Sequence, residues 1–414
     1  MNTKLSAMLL VMVVTTFLPT QSYATSPLQD EYIQQVMQRQ GMSIIAYNNI
    51  IYEFFDSESG VLTYPNEWAG AFINYNMLII QLTDVSQSVL DKFAYISGNS
   101  HIVDFELVPF SYNTLNYYGK AFAQDIQERG GLILSHGINT RGNTYNIVLY
   151  RNHHLSNQIY NTINNSQYQL PIPLQIELVG EIAHAPFYKK ECKNTYPFFS
   201  EYYSPNLTNV GTRITSNGRS FSVGVRGYYN GYPAILTAGH SFVDTISGVD
   251  VRIGGVTIGQ LFAARIGSIN INSSDSSSSQ RYGDWGLVKL NDHGQGVISN
   301  YLPNGYISSF AYTLPVGALV FGYGSSSNTA WYGSVAMVDQ TINFVSGNYA
   351  HGITMVQSHD IGPFPTHGDS GGPVWFNSGD GNTFVGVLSG GDNFIRMWSF
   401  SPLIWNQPNF TIEK

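Results

Sequence analysis

The sequence predicts an all-β C-terminal half, of barrel or sandwich type, behind a smaller α+β N-terminal half. Three observations carry this. The 414 residues exceed what one hydrophobic core usually serves. Charge divides unevenly: residues 25–204 hold 9 Lys/Arg and 16 Asp/Glu, whereas residues 205–414 hold 9 and 11, with Glu413 as the only glutamate. The second half also shows short strand-like runs every 8–15 residues, separated by Gly, Ser or Asn clusters.

In chain order, Lys4 precedes an apolar run from Leu5 to Leu18, and Ser22-Tyr23-Ala24 offers small residues at a signal-peptidase site. The run is shorter than the roughly 20 residues a membrane span needs. Residues 1–24 therefore read as a cleaved export signal, and the mature protein as secreted. Leu28 to Gln40 reads as a helix, with Ser26 as N-cap and Pro27 at its first position. Phe72–Leu82 reads as a strand, Ser86–Ile96 as a helix, His101–Pro109 as a strand and Ser111–Arg129 as a helix closed by Gly130-Gly131. Ile133–Asn139 and Tyr145–Tyr150 flank a hairpin turn. The order is β-α-β-α-β-β.

In the second half, strand character marks Ser220–Val225, Ala234–Thr237, Gly286–Leu290, Ala318–Phe321, Gly333–Val338, Ile353–Val356 and Phe384–Leu388. Asn270–Ser279 reads as an exposed loop. The composition is 43% apolar and 11% charged, which excludes disorder. A net charge of −8 lacks the basic footprint of a nucleic-acid binder. The single cysteine, Cys192, permits no intramolecular disulfide and no cysteine-based zinc site.

Three motifs can carry chemistry. In Gly368-Asp369-Ser370-Gly371-Gly372-Pro373 a serine sits among glycines, whose backbone freedom lets successive N–H groups converge. The N–H groups of Gly368 and Ser370 could hold a developing oxyanion. A serine needs a base. Thr237-Ala238-Gly239-His240 ends an apolar strand in a histidine, and its small residues let another segment approach the ring. The base needs an orienting carboxylate. Asp284, in Tyr282-Gly283-Asp284-Trp285, stands just before an apolar run, where a half-buried carboxylate must find a partner.

These motifs, in this order, resemble the chymotrypsin-fold serine endopeptidases. Phe384–Gly391, Val335–Phe344 with Gly352-Ile353, and Phe400–Leu403 are similar to stretches of the bacterial secreted branch typified by streptogrisins and alpha-lytic protease. Gly137–Thr144 resembles a hairpin in that branch's long N-terminal pro-region. The resemblance implies two six-stranded antiparallel β-barrels over residues 205–414, an α+β pro-region over 25–204, and a junction between about residues 190 and 209 that Cys192 leaves with the pro-segment. It implies Ser370 as nucleophile, His240 as general base and acid, Asp284 as the group that orients the imidazole, and Gly368 and Ser370 as the oxyanion donors.

It further implies that Ser389 buttresses the aspartate and belongs to a strand that pairs with extended substrate, that Gly390 and Gly391 line an open specificity pocket, and that His367 sits at its mouth. No cofactor and no metal are needed. The partners are polypeptide substrates and the chain's own pro-region, which assists folding and blocks the cleft; the mature enzyme is expected to be a monomer without membrane association. Relatives usually have disulfides near the histidine and the serine; here Ser241 and Phe221 occupy such positions, so packing must replace the cross-links. Asp369 has no evident partner in sequence, with Arg213 or a freed N-terminus as candidates. Two other readings stay open at this point: a catalytically silent binding module on the same fold, and a non-proteolytic esterase.

Overall fold

The computed structural model describes residues 27–56, 61–98, 100–165, 171–179, 209–266, 269–271, 283–302, 305–343, 349–358, 363–378, 381–392, 396–403 and 410–413. The export signal, the junction, Cys192 and most of the Asn270–Ser279 loop lie outside these residues.

The N-terminal region mixes helices and strands, as expected. Helix α1 runs from Pro27 to Phe54, well past the expected end at Gln40. Gly41 looks like a stop signal, but it lies within the helix where a Cβ would sit 3.1 Å from the carbonyl oxygen of Ser378; the glycine serves close packing. The expected single strand over 72–82 is a hairpin, β1 (Trp68–Asn74) and β2 (Met77–Leu82), because Tyr75 turns the chain at φ 54°. Helix α2 (Gln87–Ser97) ends at left-handed Gly98. Strand β3 (Val103–Leu107) then pairs parallel to β2. Helix α3 (Tyr112–Glu128) starts at Ser111, whose Oγ accepts the N–H of Thr114. The hairpin β4 (Ile133–Asn139) and β5 (Thr144–Tyr150) follows. Helix α4 (His154–Asn165) and strand β6 (Leu174–Val179) were not evident in the sequence.

The C-terminal domain has a chymotrypsin-like β-rich fold. Its first barrel comprises β7 (Arg213–Ser216), β8 (Arg219–Ser222), β9 (Val225–Tyr229), β10 (Tyr232–Thr237), β11 (Asp250–Ile253), β12 (Val256–Ile266) and β13 (Asp284–Leu290). Strands β8 and β9 form one bent stretch. Counting them so, the antiparallel pairings β8–β7–β11–β12–β13–β10–β9 close a ring of six. The second barrel comprises β14 (Leu319–Gly322), β15 (Trp331–Asn343), β16 (Tyr349–Ser358), β17 (Pro373–Asn377), β18 (Asn382–Asp392) and β19 (Met397–Pro402). The pairings β14–β15–β16–β19–β18–β17–β14 close a second antiparallel ring of six. A short helix, Asp292–Val297, was not expected; at the C-terminal end Phe410–Ile412 forms a strand against β9.

The N-terminal region joins the second barrel through a shared sheet and a shared core. Strand β4 pairs antiparallel with β15, placing His136 opposite Thr341 and Ser135 opposite Ile342. One apolar cluster runs from Ile44, Ile50 and Trp68 through Tyr145 to Val320, Trp331 and Val374. Asn48 caps the seam by accepting the N–H groups of Tyr312 and Thr313 and donating to the Thr313 carbonyl.

A polar cluster lies in this seam. A bulge in β15 sets Asp339 at φ 52°, where Tyr112 of α3 donates to its carboxylate. Burial raises its pKa, opposed by that hydrogen bond and by Lys120. His136 Nδ1 lies 2.6 Å from the hydroxyl of Tyr145. Burial, with the charges of His351 and Lys120, lowers its pKa to about 3.

The two groups act with opposite sign. His136 is held neutral, so its contribution is complete above the ordinary value of about 6.5 and is lost as pH falls from there towards 3. At pH 5 the loss is about 2 kcal/mol. Asp339 contributes most in acid and loses its contribution as pH rises through its raised value. His136→Gln, which retains a partner for Tyr145 but does not titrate, should flatten the acid-side fall in melting temperature between pH 7 and 5. Parallel curves for the two chains, both carrying Ser370→Ala to prevent autolysis, would contradict this role.

Candidate active site

The site lies where the two barrels meet. Strand β10 ends at Thr237, and Ala238-Gly239 lead into His240, which is 1% exposed. Gly239 permits the approach the sequence suggested, since a Cβ there would lie 2.6 Å from the carbonyl oxygen of Trp285. Asp284 opens β13 and is fully buried. Its Oδ1 accepts the backbone N–H of His240 at 2.8 Å, and its Oδ2 lies 2.6 Å from His240 Nδ1. Ser389 donates to the same Oδ2. The backbone N–H of Asp284 donates to Ser401 Oγ at 3.0 Å. Held this way, the carboxylate requires a proton on Nδ1, which leaves the lone pair on Nε2.

The loop bearing Ser370 is tied to both barrels. Ser370 O accepts the N–H of Ser222 at 2.8 Å, and Ser222 O accepts Thr237 Oγ1 at 2.7 Å. Ser222 Oγ also donates to the Gly368 carbonyl at 2.9 Å. On the other side, Gly371 N–H donates to Leu388 O and Leu388 N–H to Gly372 O. Ser222 thus bridges the histidine strand and the serine loop, a role not evident in its sequence context.

Ser370 Oγ is buried and has no hydrogen-bond partner among the described residues. Neither Gly368 N–H nor Ser370 N–H donates to a described residue. Gly368 has φ +96° and Gly371 φ +82°, conformations that favour glycine. A Cβ on Gly371 would collide with Thr237 Oγ1 and lie 2.7 Å from Ser222 O. Gly371→Ala should therefore displace Ser370, and displacement by about 1 Å costs on the order of 100-fold in reaction rate. Fluorophosphonate labelling kinetics measure this; an unchanged rate would show the loop tolerates the side chain.

In the uncleaved chain Asp369 is held by backbone groups, and Arg213 is not its partner. The Ser326 and Ser327 N–H groups donate to its Oδ1 at 2.7 and 3.0 Å, and the Thr366 N–H donates to Oδ2 at 2.7 Å. Arg213 donates instead to Ser220 Oγ. Burial raises the pKa of Asp369, and these backbone donors oppose the shift. Gly324 makes room, since a Cβ there would lie 2.5 Å from the Asp369 side chain.

Packing fills the region beside His240. The Phe221 ring meets Phe242 edge-on at 5.0 Å, and Ser241 is buried beside it. Among the other expected site residues, Ser389 is fully buried at the aspartate, Gly390 and Gly391 continue along β18, and His367 is exposed on the loop before Gly368. Among the described residues, no group of three or more His, Cys, Asp or Glu side chains could hold a metal ion, and no helix is long and apolar enough to cross a membrane.

Comparison with known proteins adds three findings. No curated protein matches the chain. Similar solved structures include Nocardiopsis protease, 23% identical with a TM-score of 0.37, covering 50% of this chain and 100% of that one. They also include Cellulomonas bogoriensis chymotrypsin (22%, TM-score 0.35, 50% and 99%) and an alpha-lytic protease homolog, N4 (17%, TM-score 0.36, 47% and 94%). The Trypsin family model matches residues 211–395, which span His240, Asp284 and Ser370. The C-terminal part of this chain is thus a Trypsin-family domain of chymotrypsin-like fold.

Proposed function

We propose that the chain is a secreted serine endopeptidase, made as a precursor whose N-terminal region assists folding and is cleaved off. The observation that carries this reading is the buried His240–Asp284 pair, buttressed by Ser389, in the same domain as the Ser370 hydroxyl, which has no partner among the described residues. In this reading Ser370 Oγ attacks a peptide carbonyl, and His240 Nε2 takes its proton. The N–H groups of Gly368 and Ser370 hold the oxyanion. His240 returns the proton to the leaving amine, and water then releases the acyl group from Ser370 by the same exchange. Asp284 stays ionised and stabilises the imidazolium. His367, Gly390 and Gly391 are assigned to substrate contact. Export rests on the apolar leader of residues 1–24, and the domain division rests on the change in composition near residue 204.

The backbone cage around Asp369 supports an intact serine loop and removes one reason for reading the domain as a silent module. The test compares the precursor lacking residues 1–24 with its Ser370→Ala form over time, by size and by N-terminal sequencing. Self-cleavage between about residues 190 and 209 in the first alone supports the reading. A wild-type chain that resists cleavage and, after clipping by another protease, hydrolyses neither casein nor peptides would refute it.

A further inference from the structure

Beyond the catalytic groups, the segment leading into the serine loop bears on which substrates are taken. Strand β18 leaves Asp284 at Ser389 and continues through Gly390 and Gly391, which face Ser399 and Trp398 of β19. Two consecutive glycines leave this stretch of β18 without side chains. An aromatic ring lies against it. A Cβ on Gly391 would lie 3.2 Å from Cε1 and Cζ of Phe364, and 3.2 Å from Trp398 Cβ.

Phe364 is held from three directions. Pro363 and Pro365 flank it; the ring of Pro365 restricts Phe364 to extended backbone angles. The Arg396 guanidinium lies 5.0 Å from the centre of its ring. Arg396 is itself anchored, its carbonyl accepting the N–H of Ser358 at 2.9 Å and Gln357 Nε2 at 3.2 Å. The ring also packs against the edge of the large apolar cluster.

We propose that Phe364 is the stop of the substrate slot, so that the residue supplying the scissile carbonyl carries a small side chain, such as Ala, Ser or Gly. This rests on the proposed protease function and narrows its substrate class. An aromatic side chain entering the slot would have to displace a ring fixed by two prolines and a cation–π contact. A small side chain would not require that displacement. Pocket fit of this kind discriminates by about 10–200-fold per methylene group.

The test uses the processed enzyme and peptide p-nitroanilides that vary only in the residue before the cleaved bond: Ala, Leu, Phe, Lys and Glu. Alanine should exceed phenylalanine in kcat/KM by at least about 100-fold. Phe364→Ala should shift the Phe-to-Ala ratio at least tenfold towards phenylalanine; if that variant does not mature, Phe364→Leu should shift it in the same direction. Preference for Phe, Leu, Lys or Glu in the wild type overturns the inference, as does a ratio that the substitutions leave unmoved. Fluorophosphonate labelling separates the two layers. Labelling of Ser370 with the wrong substrate profile refutes the small-residue slot alone, whereas failure to label refutes the protease reading and the slot with it.

Discussion

Ser370→Ala is expected to lower peptide hydrolysis by roughly 10⁶-fold and to leave the precursor whole. The size of the effect follows from the arrangement around the residue. His240 and Asp284 form a buried hydrogen-bonded pair, which in the proposed mechanism takes one proton from the serine hydroxyl. Alanine leaves that pair intact with no nucleophile. What survives is the polarisation of a bound carbonyl by the Gly368 and Ser370 N–H groups, worth a residual 10³–10⁴-fold over water in triads of this type. The fold should tolerate the change, because Ser370 Oγ makes no hydrogen bond to a described residue, whereas its carbonyl, which accepts Ser222 N–H, is retained. Initial rates on a peptide substrate, together with melting temperature, check both halves. A folded variant that keeps more than about 1% of wild-type activity would contradict the assignment.

Asp284→Asn is expected to lower kcat by about 10⁴-fold with little change in the backbone. The carboxylate accepts three hydrogen bonds, from His240 N–H, from His240 Nδ1–H and from Ser389 Oγ. An asparagine has one accepting oxygen and one donating nitrogen. If its oxygen keeps the His240 backbone N–H, its NH₂ faces Nδ1, which must then be the accepting nitrogen. The proton moves to Nε2, and the base is lost. Ser389, also a donor to Asp284 Oδ2, must rotate or lose its partner. The loss should be smaller at high pH, where hydroxide can assist deprotonation of the serine. A kcat within tenfold of wild type at neutral pH would show that Asp284 does not set the tautomer.

The proposed catalytic groups were legible because their chemistry demands particular side chains in particular company. A serine among glycines, a histidine after small residues at a strand end, and an aspartate before an apolar run each mark a local requirement, and the structure brings His240 and Asp284 into contact. The supports were not legible. Asp369 is satisfied by backbone N–H groups, which have no residue signature. Ser401 acts through a single hydroxyl placed by a distant strand, and Ser222 through its hydroxyl and both its backbone groups. In the N-terminal region the errors came from conflict between local pattern and tertiary demand. Gly41 lies within a helix because the backbone of Ser378 is close, and Tyr75 adopts a turn angle that usually marks Gly or Asn. Strand β6 takes its place by parallel pairing with β5, a non-local contact that no periodicity announces.

The most direct test is the site of covalent modification by a fluorophosphonate on the chain cleaved between about residues 190 and 209. A single adduct on Ser370, whose formation is abolished by His240→Ala, is the expected result. An adduct on another residue, no adduct at all, or equal labelling without the imidazole would contradict the assignment of Ser370 as a nucleophile activated by His240.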